Sequence, residues 1–226
     1  MKYFCAENLH QTFLDFTLDV SFECEKNSMT CILGSSGSGK TTILRLISGL
    51  NKAENDKQKI FLDGEDISSL KPCKRHIGMV FQNHTLFNHL TVEDNVCYGL
   101  ISEGIKKSEA RKEAKEFLKY FNLENFEKRS PETLSGGEAQ RVALARTLIV
   151  KPKLILFDEP LSALDGPLRK KSALLIKGLQ NKFNFTAIMV THDINEAKAI
   201  SDRIIVLEKG KIKWQGNTNA SPLFLN

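Results

Sequence analysis

The sequence lacks any apolar run that approaches the roughly 18 to 20 residues of a membrane-spanning helix. It also lacks a signal-like apolar region at the start, because Glu7 and Asn8 interrupt it. If the protein works at a membrane, we therefore expect it to dock onto another subunit. The sequence also lacks a block of charges of a single sign. Its 32 Lys and Arg residues alternate along the chain with 27 Asp and Glu residues. This balance does not indicate nucleic-acid binding.

Paired cysteines are missing too. The chain has five cysteines, an odd number, and none forms a Cys-x-x-Cys pair, so neither a disulfide framework nor a zinc site is indicated. We expect all of them to be small buried side chains in a reducing compartment. They are Cys5, Cys24, Cys31, Cys73 and Cys97. Internal repeats and Gly/Ser linkers are absent, which favours one cooperative unit within the 226 residues.

The sequence contains several strand-like segments. Residues 2–33 are rich in Phe, Val, Ile and Leu and predict short strands, the last of which is apolar throughout, as in a buried parallel strand. Similar runs return at residues 154–157, 186–190 and 203–207, and the turn after the last run predicts a short hairpin to Trp214. Because helical segments alternate with these strands, we predict a mostly parallel sheet covered on both sides.

Helical patterns occupy two stretches. Residues 41–50 predict a helix that Gly49 ends. Residues 85–150 are mostly helical and predict a lobe inserted into the α/β core. Within that lobe, residues 106–121 separate an apolar face from a charged face. The apolar face consists of Ala110, Ala114, Phe117, Leu118 and Phe121.

A glycine-rich loop stands between the first buried strand and the helix that follows it. The loop reads Gly34-Ser35-Ser36-Gly37-Ser38-Gly39-Lys40-Thr41, continues into Thr42, and fits the phosphate-binding pattern G-x-x-x-x-G-K-[ST]. Glycines let successive backbone N–H groups curl around phosphates, and the helix adds the positive end of its dipole. Lys40 can reach the β and γ oxygens, while the Thr41 hydroxyl can ligate Mg²⁺. We therefore predict that residues 34–42 bind a nucleoside triphosphate with Mg²⁺.

Two carboxylates follow the apolar run at residues 154–157. Asp158 and Glu159 are expected at the carboxyl end of a central strand, where open α/β sheets bind ligands. Asp158 is placed to hold Mg²⁺, directly or through water. Glu159 can accept a proton from an attacking water, a role that contributes roughly 10² to 10⁴ in rate.

A second glycine motif, Leu134-Ser135-Gly136-Gly137-Glu138, precedes another helical run. Ser135 and Glu138 have the spacing of a capping box, so the motif predicts a capped start of a helix. The same geometry presents N–H groups that can bind an anion. Taken alone, the motif favours the capping interpretation.

Six motifs, taken in order along the chain, resemble those of the ATP-binding subunit of ABC transporters. They are the Walker A loop at residues 34–41, the Q-loop Val80-Phe81-Gln82, the signature at 134–138, Walker B at 154–159, the D-loop Ser162-Ala163-Leu164-Asp165 and the switch histidine His192. The resemblance implies an α/β P-loop NTPase core with a mostly parallel sheet, an N-terminal antiparallel β subdomain and an inserted α-helical lobe. It implies a single domain over residues 1–226, with the core at 1–84 and 151–226 and the lobe at 85–150.

The resemblance also assigns roles. Two subunits would pack head to tail, so that Ser135 and Gly137 of one chain contact the γ-phosphate held by Lys40 of the other, with Gly136 and Asp165 as further nucleotide-binding residues. A two-fold axis makes such pairing self-complementary and gives two sites per dimer. Gln82 would approach Mg²⁺ and the attacking water, and His192 would contact the γ-phosphate. Together with Glu159 and Lys40, these two residues form the expected catalytic set.

Three segments depart from the family pattern. The family stacks adenine on an aromatic residue before Walker A, a role for which Phe13 and Phe16 compete. Lys26-Asn27-Ser28 stands where the family commonly has Gly-Glu, a change that Asn tolerates because it accepts left-handed turns. Residues 51–59 are polar and indicate a different loop.

Residues 83–92 and 158–165 resemble the forms found in bacterial importers of small solutes, of the thiamine, metal, anion or polyamine type. The expected partners are then a second ATPase subunit, most simply an identical one, transmembrane permease subunits and, indirectly, an extracytoplasmic solute-binding protein. The expected location is the cytoplasmic face of the inner membrane. Because the chain ends soon after Gly210, we expect the short form without a C-terminal regulatory domain.

Alternatives to these assignments remain open. An exporter subunit and a soluble ABC ATPase without a transport role are the rival functions. A set of apolar residues either lines a groove for a permease helix or packs inside the lobe. These residues are Leu86, Phe87, Leu90, Val92 and Val96.

Overall fold

The computed structural model of the chain describes residues 2–83 and 85–221, and its strands form two sheets. His84, part of the importer-like segment, lies outside the described residues. The strands are β1 (Lys2–Thr12), β2 (Thr17–Glu25), β3 (Met29–Leu33), β4 (Lys59–Leu62), β5 (Glu65–Asp66), β6 (Ile77–Val80), β7 (Leu154–Asp158), β8 (Ala187–Thr191), β9 (Arg203–Glu208) and β10 (Lys211–Asn217).

The larger sheet has six strands in the order β10-β9-β3-β8-β7-β6. Strands β3, β8, β7 and β9 pair in parallel, and β10 joins β9 through an antiparallel hairpin. Every residue of β3 and β8 is buried, as expected for central strands covered on both faces. The predicted mostly parallel sheet and the hairpin through Trp214 are confirmed.

The smaller sheet is antiparallel, in the order β2-β1-β4-β5. The prediction of short strands at the start of the chain is wrong, because β1 has 11 residues and β2 has nine. Buried and exposed residues alternate along β2, the pattern of a strand with one face on a core. Asn27 follows β2 with φ of 58°, so the left-handed turn expected there is confirmed.

The helices are α1 (Lys40–Ser48), α2 (Val92–Ser102), α3 (Lys107–Leu118), α4 (Gly136–Leu148), α5 (Gly166–Phe183) and α6 (Ile194–Ile200). Helix α1 ends as predicted, since Gly49 has φ of 79° and its N–H bonds back to the last turn. Apolar side chains of α1 share one core with β1, β2 and one face of the parallel sheet. Within the described ranges, no helix is both long and apolar enough to cross a membrane.

The described residues divide into two compact units. Unit 1 comprises residues 2–79, 153–159 and 170–221, and unit 2 comprises 80–83, 85–152 and 160–169. The predicted lobe at 85–150 is therefore the main part of unit 2, which also takes in the start of α5. That the whole chain acts as one functional domain stays a prediction.

Unit 2 buries the helical face that the sequence predicted. Ala110, Ala114 and Leu118 are fully buried on α3, and so is Phe121, although it lies in a short 3₁₀ turn after the helix. Phe117 is half-buried.

The apolar residues that could line a groove for a permease helix differ in how deeply they are buried. Val92 and Val96 are fully buried in α2 and so pack inside the lobe, whereas Leu86, Phe87 and Leu90 are half-buried. The three half-buried residues remain candidates for a partner surface.

The expectation that every cysteine is buried is wrong. Cys24, Cys31 and Cys97 are buried, and burial raises the pKa of the Cys24 thiol to about 12. Cys5 is only half-buried, and Cys73 is exposed in the short 3₁₀ turn Pro72–Lys74. All five cysteines are free thiols in the structure.

Candidate functional site

The phosphate-loop residues link β3 to α1 in unit 1, where the chain leaves the middle of the sheet. A Cβ on Gly34 would stand 2.6 Å from the carbonyl oxygen of Leu207, so only glycine fits this close approach to β9. Gly39 has φ of 104°, a conformation that glycine adopts at little cost. Among the described residues, no side chain caps the start of α1. The N-terminus of α1 thus opens directly onto the loop, as an anion site requires.

Lys40 is folded back into the loop. Its side chain is 5% exposed, and its ammonium donates to the carbonyl oxygens of Gly34 and Ser35 at 2.9 Å each. The same Nζ lies 3.4 Å from Oε1 of Glu159. The buried Lys40 ammonium therefore has three oxygen neighbours. A phosphate oxygen can take the place of one of them, the carboxylate oxygen of Glu159.

Two oxygen donors suited to Mg²⁺ lie side by side. The Thr41 hydroxyl donates to Oδ1 of Asp158 at 2.9 Å. Burial raises the pKa of the Asp158 carboxyl above its usual range, against the opposing effect of the Thr41 hydrogen bond. Hydroxyl and carboxylate oxygens are the ligands that Mg²⁺ takes beside nucleotide phosphates, so this pair fits the predicted metal.

Glu159 contacts both of its predicted catalytic neighbours in unit 1. Its Oε2 lies 3.1 Å from Nδ1 of His192, while Oε1 faces Lys40. The backbone of Glu159 has φ of 44°, which is costly for a residue with a Cβ, and its N–H donates to Val190 at 3.1 Å. The strained turn after β7 thus aims the carboxylate at the loop.

A buried pair supports the loop that carries His192, and sequence reasoning missed it. The Thr191 hydroxyl donates to the Glu196 carboxylate at 2.6 Å and accepts the N–H of Asp193 at 3.0 Å. Asp193 in turn caps α6. An acidic residue in a first helical turn is so common that the pattern alone gave no signal.

Of these groups, Lys40, Thr41 and Glu159 border one open cleft of about 360 Å³, within the usual size of a small-molecule site. Its lining comprises Phe13, Phe16, Ser36, Gly37, Gly39, Lys40, Thr41, Thr42 and Glu159. The rings of Phe13 and Phe16 stack with centroids 4.8 Å apart. Both rivals for adenine stacking therefore lie at the site as a pair.

The remaining predicted site residues belong to unit 2. Ser135 and Glu138 form a complete capping box at the start of α4, so the capping interpretation is confirmed. Gln82 is exposed just after β6, and Asp165 accepts the N–H of Leu168 at the start of α5. Gly136 is exposed and Gly137 buried beside Leu168.

Asn95 is a second residue that the sequence did not reveal. It is fully buried in α2 and bonds both backbone groups of Phe87 and the carbonyls of Leu90 and Thr91. One amide thereby shapes the segment before α2, which includes the half-buried apolar residues of the lobe.

Comparison with known proteins agrees with this geometry. The family model described as ABC transporter matches residues 17–162. The Fe(3+) ions import ATP-binding protein FbpC of Agrobacterium fabrum is 46% identical over 212 residues, which cover 93% of this chain and 60% of that protein. The protein of the same name from Escherichia coli O157:H7 is 47% identical over 88% of this chain and 57% of its own length.

A solved structure is similar as well. CbiO1 from Clostridium perfringens, described as part of the ABC transporter complex CbiONQ, matches with a TM-score of 0.84 at 28% identity. The match covers 96% of this chain and 89% of that one. By contrast, the chain spans about 60% of the length of the FbpC relatives.

Proposed function

Because the chain belongs to the ABC transporter family, we propose that it is the ATP-binding and ATP-hydrolysing subunit of an importer. The observation that supports this most is that Glu159 contacts both Lys40 and His192, while Thr41, the residue after Lys40, contacts Asp158. The rival functions, export and a role outside transport, find no support in the names of the compared relatives.

Hydrolysis needs a base, a phosphate clamp and a metal ligand set, and each has a candidate. ATP would lie on residues 34–42 with adenine against Phe13 and Phe16. Bound Mg²⁺ would neutralise charge on the β and γ oxygens. Glu159 accepts the proton of a water whose oxygen bonds the γ-phosphorus, while the bond to the β-phosphate oxygen breaks and ADP leaves.

Lys40 and His192 complete the clamp on the γ-phosphate. When phosphate oxygens take the place of Glu159 beside the Lys40 ammonium, the carboxylate is released to act on water. His192, hydrogen-bonded to Glu159, can then donate to the γ-phosphate and fix the position of the carboxylate. The family pattern assigns Gln82 to the metal and the attacking water, and we propose the same role for it in this chain.

The second half of each site would come from another copy of this chain. Ser135, Gly136 and Gly137 stand at the start of α4, where N–H groups can meet a phosphate. A head-to-tail pair would place them on the nucleotide held by its partner, with Asp165 nearby. Efficient turnover then requires the dimer.

The cargo we propose is ferric iron, because the compared relatives are named for the import of Fe(3+) ions. The chain would act at the cytoplasmic face of the membrane, bound to permease subunits that receive iron from an extracytoplasmic binding protein. Uptake of radioactive iron and of thiamine by cells with and without the gene tests this assignment. Loss of iron uptake alone supports it, and loss of thiamine uptake alone overturns it.

Replacement of Glu159 by Gln tests the catalytic assignment. We expect ATP still to bind and to trap a dimer, while turnover falls by at least about 10² because the base is lost. Steady-state phosphate release and light scattering with Mg·ATP measure the two effects. The matched control is Glu25→Gln, an exposed glutamate of unit 1. Turnover of Glu159→Gln at the control's rate would remove Glu159 as the base.

A further inference from the structure

The Ser135 hydroxyl is already occupied by an acceptor of its own chain. Its single proton points to Oε2 of Glu138 at 2.8 Å, and the Ser135 N–H donates to the same oxygen at 2.7 Å. The Glu138 N–H donates back to Ser135 Oγ at 3.4 Å. One carboxylate oxygen thus receives both donors that Ser135 can offer to an anion.

Glu138 carries its charge under physiological conditions. The hydrogen bonds from the backbone and side chain of Ser135 lower the pKa of the Glu138 carboxyl below its usual range. Glu138 is half-buried and Ser135 is exposed, so the pair faces solvent at the start of α4. An approaching phosphate therefore meets a negative charge beside the hydroxyl that is expected to bind it.

We propose that Glu138 limits the ATP affinity of the shared site, because its carboxylate both competes for the Ser135 hydroxyl and repels the γ-phosphate. This inference rests on the proposed head-to-tail dimer, in which Ser135 contacts the nucleotide of the partner. It makes Glu138 a residue that tunes the closing of the dimer around ATP.

The distances bring the phosphate close to the Glu138 carboxylate. A phosphate oxygen hydrogen-bonded to Ser135 Oγ at about 2.7 Å can lie no farther than about 5.5 Å from Glu138 Oε2, unless the carboxylate moves away. Like charges at that separation repel measurably even near water. Moving the carboxylate away breaks the capping box instead. Since a symmetric dimer has two such sites, the effect on dimer formation counts twice.

Glu138→Gln tests the inference, because Gln keeps the acceptor of the capping box and removes the charge. The replacement is made in the Glu159→Gln background, so that hydrolysis does not interfere. We expect the ATP concentration for half-maximal dimer formation to fall by about threefold to tenfold, as measured by light scattering with Mg·ATP. The matched control is Glu113→Gln, an exposed glutamate on α3, which is expected to leave the midpoint unchanged.

Ionic strength separates charge from a structural effect. Salt screens like charges, so raising NaCl from about 50 to 500 mM should narrow the difference between Glu138→Gln and its parent. Equal midpoints for both chains at low salt would overturn the role of Glu138, and so would a difference that salt leaves unchanged. If Glu159→Gln itself forms no dimer with ATP, the shared site of the proposed function fails, and this inference fails with it.

Discussion

The charged side chains at the candidate site of unit 1 and those at two helix starts of unit 2 are used in opposite ways. In unit 1, Lys40 is buried, burial raises the pKa of Asp158, and Glu159 sits on a strained backbone. In unit 2, hydrogen bonds from Arg111 lower the pKa of Asp94, and the capping box lowers that of Glu138. The charges of Lys40 and Asp158 are held against their own solvation and are available to a ligand, whereas those of Asp94 and Glu138 stabilise the ends and contacts of helices.

The largest test of this contrast is Lys40→Ala. If the buried ammonium serves a ligand, we expect nucleotide affinity to fall about 10²-fold, because its charge-assisted bonds to phosphate are lost. Titration with a fluorescent ATP analogue measures the loss. Lys211→Ala, an exposed lysine of β10, serves as the control. Equal affinities in the two variants would show that Lys40 only fills the loop.

Asp94→Asn tests the other side of the contrast. Arg111 donates to both Asp94 oxygens at 2.8 Å and joins α3 to the first turn of α2. Because the folded-state pKa of Asp94 is depressed, its contribution is present above the ordinary pKa and is lost as pH falls through the depressed value. At neutral pH we expect the thermal midpoint to fall by roughly 2–4 °C.

Thermal unfolding followed by circular dichroism at neutral and acid pH measures the effect. Glu113→Gln, which removes an exposed charge from α3, should leave the midpoint unchanged at either pH. A midpoint for Asp94→Asn equal to that of wild type at neutral pH would mean that unit 2 does not draw stability from this pair.

Local patterns predicted most of the fold. The apolar runs of β3 and β7 are typical of buried strands, and the period of α3 predicted most of the side chains that unit 2 covers. The ends of the strands were harder to predict. Strands β1 and β2 extend further because they pair with each other, and the sequence of one strand does not specify that pairing. The exposure of Cys73 could not be predicted for a similar reason. Whether a cysteine is buried depends on tertiary contacts that its neighbours in sequence do not specify.

The candidate site was predictable where one motif held all its parts. The loop around Lys40 and the acids after β7 follow from local sequence. The contact of Glu159 with His192 joins residues 33 apart, and the support that Glu196 gives Thr191 depends on the direction of α6. The four bonds of Asn95 likewise arise from tertiary packing. Such contacts leave no periodic trace in the sequence.

The smallest expected effect is also the most specific test of the contrast. Asp158→Asn keeps an oxygen that can accept the hydrogen bond from the Thr41 hydroxyl. It removes the negative charge of a carboxyl group whose pKa is raised by burial. A raised pKa means that the native state carries an ionisation cost at neutral pH. Nucleotide-free Asp158→Asn should therefore be more stable than wild type by about 1 kcal/mol or less. The gain in stability should shrink as pH falls through the raised pKa, since wild-type Asp158 is then neutral too.

Mg·ATP should stabilise wild type but not the variant, so thermal midpoints with and without Mg·ATP measure both effects. Loss of stability in the nucleotide-free variant would place Asp158 with the stabilising charges of unit 2 and break the contrast.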